Sequence, residues 1–323
     1  MFTSKDVQFR SIFVINCIEK RKMRVQNGEL LLEEEKEGVT KTLTKMPFQK
    51  ILALFVVGNI SITTPLLDKC KRYNVALIVV KPNLRPVFYW SNAAEANYLL
   101  RQKQYRLSKE DISIAKILVG NKIKNQFTIL QKTRKTDELT QKAKQICQEA
   151  LAFIGQVQDY NQLMGMEGWV AKHFFAAYFQ QYDWKKRLPR IRPDFINATL
   201  DIGYTILFNY IECFVRMFGF DVYVGVYHRL WFKRKSLICD LMEPFRCIVE
   251  NTLRNSLNRK QCKPSDFQII KNEYKLKMEN NASYQRLFFD ALISYKKEIF
   301  LYIQKYYRAF MKNDISQYPT FNF

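Results

Sequence analysis

VALIVVKPNLRPVFYWSNAAEANYLLRQK, residues 75–103, changes character partway along. VALIVV at 75–80 and PVFYW at 86–90 are short runs rich in β-branched or aromatic residues and read as strands. After Ser91 the pattern turns helical: Ala94, Ala96, Leu99, Leu100 and Lys103 suit an amphipathic stretch. The change predicts a β-rich first domain over residues 1–92 and a larger all-α domain over residues 93–323, an α+β fold.

Working outward, the two halves keep these characters. SIFVINCI, ELLLEEE and KILALFVV are short apolar or β-branched runs, and Asn27-Gly28 between two of them is a hairpin signal. Thr64-Pro65 offers an N-cap followed by proline at the first helical position. Beyond, no proline occurs between Val87 and Leu188, as expected of long helices. Ser108 with Asp111 resembles a capping pair opening the helix IAKILVGNKIKNQFTIL, Thr133–Asp137 is polar and turns the chain, and Asn161–Met166 introduces a further helix. The aromatic tail QYPTFNF is expected to pack on its own helical domain, with docking of a partner as the alternative.

With 52 Lys and Arg against 30 Asp and Glu, the formal charge of the 323-residue chain is +22. Self-repulsion of that size strains a compact fold unless a polyanion or a screened surface absorbs it, so nucleic acid leads as the partner class. A solvated basic surface that only maintains solubility is the plainer alternative. The longest apolar run, ILALFVV at 51–57, is far below a bilayer span, and MFTSKDVQFR lacks a secretory apolar stretch, so no membrane partner and a cytoplasmic location are expected. Seven cysteines without a C-x-x-C pair point to free buried thiols rather than zinc or disulfides. There is no P-loop, no dinucleotide fingerprint and, with two histidines, no support for a Ser/His/Asp arrangement.

GVYHRLWFKRKSLICDLMEPFR, residues 225–246, gathers the scarce chemistry. His228 taken alone reads as a structural or surface histidine. Asp240 and Glu243 are three apart, so a helix would place both carboxylates on one face; a charged face balancing Arg246 is the alternative. Pro244 biases Glu243 away from helical backbone, toward a kink or the N-cap of a following helix. In MGMEGWVAKHFF, Glu167 lies between Gly165 and Gly168, which would permit close approach of backbone or ligand; a helix start complementing the macrodipole explains it equally. His173 falls off the face of Glu167 and is read as structural. Carboxylates with one imidazole suit Mg²⁺ or Mn²⁺, which activate a hydroxyl and stabilise the leaving oxygen of a phosphodiester. Arg229, Lys233, Arg234 and Lys235 would then hold a phosphate backbone, and Lys185, Lys186, Arg187, Arg190 and Arg192 in WKKRLPRIR extend the footprint.

Three blocks together, MGMEGWVAKHFF, RIRPDFINATLDIGYTILF and GVYHRLWFKRKSLICDLMEPFR, resemble the CRISPR-associated adaptation integrase, the metal-dependent DNA endonuclease that is the first of the two universal Cas proteins. Order and spacing match from the β-rich start to about Glu250, and nothing beyond about residue 255 carries a usable motif. The resemblance implies that Glu167, His228 and Glu243 bind the catalytic metal, with Asp240 a close acidic neighbour. It implies that Arg192, Pro193, Asp194, Asn197, Gly203 and Tyr204 shape the site, although Phe195 and Ile196 replace the Pro-Val type pair often found there. It further implies a homodimer paired through the first domain. Two such dimers would be bridged by a small dimeric partner, the second universal Cas protein, into a complex inserting short DNA fragments (spacers) into the CRISPR array. A nuclease without integration uses the same metal chemistry, and a non-catalytic DNA-binding scaffold of this fold is the alternative from another class.

Overall fold

The computed structural model describes residues 3–17, 21–91, 97–108, 110–133, 135–182, 184–228 and 232–323. The expected boundary near residue 92, with Ala94 and Ala96, lies outside the described residues, as does Arg229.

A short helix, α1 (Ser4–Phe9), leads into β1 (Ser11–Cys17), and β2 (Arg21–Gln26), β3 (Glu29–Lys36) and β4 (Val39–Pro47) form an antiparallel three-stranded sheet. Asn27 and Gly28 close the β2–β3 hairpin at φ 50° and 80°, the left-handed geometry that a two-residue turn requires. β5 (Ile51–Gly58), α2 (Thr64–Tyr73), β6 (Ala76–Val80) and β7 (Pro86–Trp90) complete a second sheet of order β1-β5-β6-β7, in which only β7 runs antiparallel to its neighbour. Because β5 and β6 are central parallel strands covered on both faces, they read as unbroken apolar runs instead of alternating ones.

Alternation decides which layer each side chain joins. Ala53, Phe55, Val57, Ala76, Ile78 and Val80 face the helical part, while Leu54, Val56, Leu77 and Val79 face α2 and the antiparallel sheet. The helical part comprises α3 (Tyr98–Tyr105), α4 (Ser113–Lys132), α5 (Glu138–Phe153), α6 (Tyr160–Tyr178), α7 (Phe195–Met217), α8 (Ser236–Met242) and α9 (Arg246–Asn258). After α9 come two short strands, β8 (Phe267–Ile270) and β9 (Glu273–Leu276), then α10 (Asn281–Ser294) and α11 (Lys296–Lys312). Helix α7 is the central spindle, buried along most of its length. Phe55 stacks on Tyr210 of α7 at 6.0 Å, and Tyr89 donates to the Cys213 carbonyl at 3.0 Å, so sheet and helices share one core.

The α+β arrangement with the β-rich part first is thus observed, and the helical part additionally carries the β8–β9 hairpin, whose four-residue strands are too short to show a period. Local starts differ from the sequence reading. Thr63 precedes the first turn of α2, so Pro65 is its second helical residue. Asp111 Oδ1 accepts from Ser113 at the start of α4 while Ser108 Oγ accepts from Glu110, so the two side chains form no reciprocal cap. Asp159 caps α6 by accepting from Asn161 and Gln162, which places Glu167 two turns inside the helix rather than at its start. The tail packs at home: Asn121 of α4 both donates to and accepts from the Phe321 backbone at 2.7 Å, and the Phe321 ring lies 4.7 Å from that of Phe245. All seven cysteines are free thiols, and burial pushes Cys70 and Cys147 up to about 12. Among the described residues no helix is long and apolar enough to cross a membrane.

Candidate functional site

The site forms where α4, α6, the α8–α9 junction and the 225–228 segment meet. Pro244 cannot donate to the helical ladder, so the backbone tightens into a 3₁₀ turn at Glu243–Phe245 and continues directly into α9. Glu243 keeps helical angles, φ −55° and ψ −46°, despite preceding proline. The junction is a continuous helical path through one 3₁₀ turn rather than a new start, and Asn125 secures it by donating to the Pro244 carbonyl at 2.9 Å. Glu243 points inward, its side chain 1% exposed.

Asp240 and Glu243 do different work. Asp240 is fully buried and accepts from the backbone N–H groups of Val226 at 2.6 Å, Tyr227 at 3.0 Å and His228 at 2.8 Å. Its Oδ1 also lies 2.7 Å from His228 Nδ1. A carboxylate only accepts, so Nδ1 carries a proton, and in the neutral imidazole the lone pair is then on Nε2. Gly225 is required for this wrap, because a Cβ there would stand 2.5 Å from Asp240 Oδ2.

Glu167 and Glu243, from separate helices, converge on one cation: the Lys122 ammonium contacts Glu167 Oε1 and lies 2.7 Å from Glu243 Oε2. Tyr227 donates to Glu167 Oε2 at 2.5 Å, and Arg246 Nε sits 2.8 Å from Glu243 Oε2. Two cations thus bear on the same buried oxygen of Glu243. Burial opposes both charges, yet Arg246 and Lys122 hold the Glu243 carboxyl below its usual range, and Glu167 and Glu243 hold the Lys122 ammonium above its own. Burial, and then Glu167, push the Tyr227 hydroxyl up.

Among the described residues, no three His, Cys, Asp or Glu side chains enclose a metal position as they stand. The donor chemistry nevertheless suits a hard divalent ion: two carboxylates already share a cation, beside an imidazole with Nε2 available. A Cβ on Gly165 or Gly168 would meet nothing within 4 Å beyond the backbone of α6 itself. His173 is half-buried on another face of α6, its Nδ1 2.9 Å from the Trp169 carbonyl.

The basic residues divide into two kinds. Lys185, Lys186 and Arg190 are exposed, and Lys233 is exposed over the ring of Phe232. Arg187 pairs with Asp201 at 2.5 Å, Arg192 with the same carboxylate at 3.3 Å, and Lys235 with both oxygens of Glu212 at 2.7 Å. Arg234 is half-buried beside Cys239. In the middle block, Asp194 caps α7 and binds Asn197, while the Tyr204 ring is approached by the guanidinium groups of both Arg187 and Arg246 and its hydroxyl donates to buried Glu250 at 2.8 Å.

Lys122, Tyr227 and Arg246 were not singled out as site residues from sequence. Lys122 had a signal: it falls on the buried stripe of α4 with Leu118, Val119, Gln126 and Ile129, where an unpaired lysine is not tolerated.

The family model of CRISPR associated protein Cas1 matches residues 17–288. A CRISPR-associated endonuclease Cas1 of Thermodesulfovibrio yellowstonii is 28% identical over 69% of this chain and 73% of its own, and one of Moorella thermoacetica is 29% identical over 72% of each. Among solved structures, a casposase bound to integration product superposes with a TM-score of 0.76 at 19% identity, covering 97% of this chain and 94% of its own. A CAS1 protein from Thermotoga maritima gives 0.74 at 17% identity, covering 93% and 97%. A Cas6-RT-Cas1–Cas2 complex gives 0.75 at 20% identity, covering 97% of this chain and 36% of that one.

Proposed function

Because this chain belongs to the CRISPR-associated Cas1 family, we propose that it is a divalent-metal DNA integrase and endonuclease that inserts short DNA fragments into a CRISPR array. The observation that carries the reading is the convergence of Glu167 and Glu243 on one cation beside an imidazole whose tautomer is set by buried Asp240. Glu167, Glu243 and His228 Nε2 would hold Mg²⁺ or Mn²⁺, which when bound supplies activation of a hydroxyl and stabilisation of the leaving oxygen. Asp240 orients His228 and keeps its lone pair available. Tyr227 orients Glu167 through its hydroxyl. The attacking group in integration is the 3′-hydroxyl of the captured fragment; in hydrolysis it is water.

The exposed cations Lys185, Lys186, Arg190 and Lys233 would carry much of the salt-sensitive contact to phosphates, and Arg229 and Arg234 adjoin the site in sequence. Arg187, Arg192 and Lys235 meet DNA only by sharing or releasing their internal carboxylates. A homodimer through the β-rich part is supported by β4 and β7, edge strands that expose Val39, Leu43, Val87 and Phe88. A small dimeric Cas partner and a DNA product are supported by the neighbours that carry them, and work in the cytoplasm follows from that role.

Strand transfer into a repeat duplex, with Mg²⁺ or Mn²⁺ and the small partner present, tests the reading. Glu167→Ala, His228→Ala and Glu243→Ala should each reduce it to background while the folded protein still binds DNA. Full activity in all three variants would sink the site assignment. DNA binding without strand transfer or cleavage in the wild type would favour a scaffold role.

A further inference from the structure

Lys122 is the buried charge that the proposed chemistry leaves without a part. Its ammonium reaches both Glu167 Oε1 and Glu243 Oε2 from the apolar stripe of α4. Burying an ammonium is costly, and it is tolerated here because two carboxylates outweigh the loss of water. The same two carboxylates are the ones that would hold a divalent ion. A metal at about 2.0–2.6 Å from each of them and an ammonium in contact with both cannot share that volume.

Building on the metal-ligand reading of Glu167 and Glu243, we propose that Lys122 is a resident counter-cation that the divalent ion must displace. It holds the two glutamates converged in the metal-free protein and sets the ion concentration at which the site loads.

Charge balance supports this role. Lys122 and Arg246 match Glu167 and Glu243, so the metal-free site is compensated; without Lys122 the carboxylates would repel each other and attract a dication more strongly. A lysine suits a displaceable cation, because its charge is a single point on a flexible four-carbon stem. It also has a nearby destination. Glu250 lies close enough for Lys122 to influence its carboxyl, and Glu250 Oε2 is buried without a hydrogen-bond partner.

The test is a calorimetric titration of Mn²⁺ into the metal-free full chain, paired with thermal unfolding with and without Mn²⁺. Lys122→Met should bind Mn²⁺ at least about tenfold more tightly than wild type, because a competing charge is removed. Its melting temperature should be lower without metal and should rise further on adding it. Lys122→Arg, whose permanent fork grips two carboxylates better, should bind Mn²⁺ more weakly than wild type. Lys122→Met binding no more tightly, or Lys122→Arg binding as tightly as wild type or more so, overturns the proposal. If Lys122→Met does not fold, Lys122→Arg decides alone. Glu167→Gln and Glu243→Gln separate the two levels: both should lose Mn²⁺ binding. If both bind like wild type, the ligand reading itself fails and takes this inference with it; if both lose binding and the Lys122 variants do not shift as stated, only this inference fails.

Discussion

Replacing Asp240 with asparagine keeps the shape of the side chain and removes one acceptor. Four donors converge on the wild-type carboxylate: three backbone N–H groups, of Val226, Tyr227 and His228, and the His228 ring nitrogen. If the remaining oxygen serves Val226 and Tyr227, the new amide nitrogen faces the His228 backbone and ring. The His228 N–H then loses its acceptor, which costs about 1–3 kcal/mol, and the other bonds fall from charge-assisted to neutral strength. We expect a stability loss on the order of 3 kcal/mol from these contributions. The chemical effect is larger than that figure suggests. An amide N–H₂ favours the imidazole tautomer with its lone pair on Nδ1, so the proton moves to Nε2 and blocks it as a metal donor. Losing such an orienting partner typically lowers metal affinity by about 10–100-fold. Mn²⁺ titration calorimetry, thermal unfolding and strand transfer of Asp240→Asn measure the three consequences. Wild-type Mn²⁺ affinity together with an unchanged melting temperature would refute the reasoning, because Asp240 would then set neither the loop nor the tautomer.

Three further outcomes are expected elsewhere. A Cβ on Gly203 would stand 2.5 Å from Val249 Cγ1 and 2.8 Å from Phe288 Cε1, so Gly203→Ala should destabilise by about 1–3 kcal/mol in denaturant unfolding without altering the site residues themselves. Burial raises the Glu250 carboxyl above its ordinary 4.5, outweighing the Tyr204 hydrogen bond. The folded protein therefore holds that proton at pH values where the unfolded chain has lost it, and this contribution, full below 4.5, fades as pH rises through the raised folded value. Glu250→Gln should flatten that part of the melting temperature against pH, and a difference between variant and wild type that is constant with pH would count against it. Combined Lys185→Ala, Lys186→Ala and Arg190→Ala should weaken duplex binding and reduce the salt slope by about 0.9 for each phosphate that is no longer neutralised, read by anisotropy at several salt concentrations. An unchanged slope would remove this loop from the DNA footprint.

Much of the architecture was legible because it depends on short-range pattern. The unbroken apolar runs of β5 and β6, the Asn27-Gly28 turn and the long proline-free stretch are local statements, and each became the element it described. The β8–β9 hairpin was not legible, since two four-residue strands closed by Lys271 and Asn272 offer neither period nor glycine. Helix starts were displaced by a few residues because several polar side chains near each start compete to cap, and packing chooses among them.

At the candidate site the division is sharper. Sequence by itself determined which residues could carry chemistry: a scarce histidine, a carboxylate pair three apart and a glutamate between glycines, on a chain of charge +22. It also placed Glu243 before Pro244 and so posed the question of a kink. Only the tertiary structure decided how the work was divided, because that depends on which helices approach each other. Asp240 spends its oxygens on three backbone amides and the imidazole, while Glu243, in the 3₁₀ turn that follows, shares Lys122 with Glu167. The cation between the two glutamates arrives from a fourth element, on a stripe that sequence marks only as core. Charges that meet across separate helices have no fixed spacing in the chain, and their partners become known only when the core has packed.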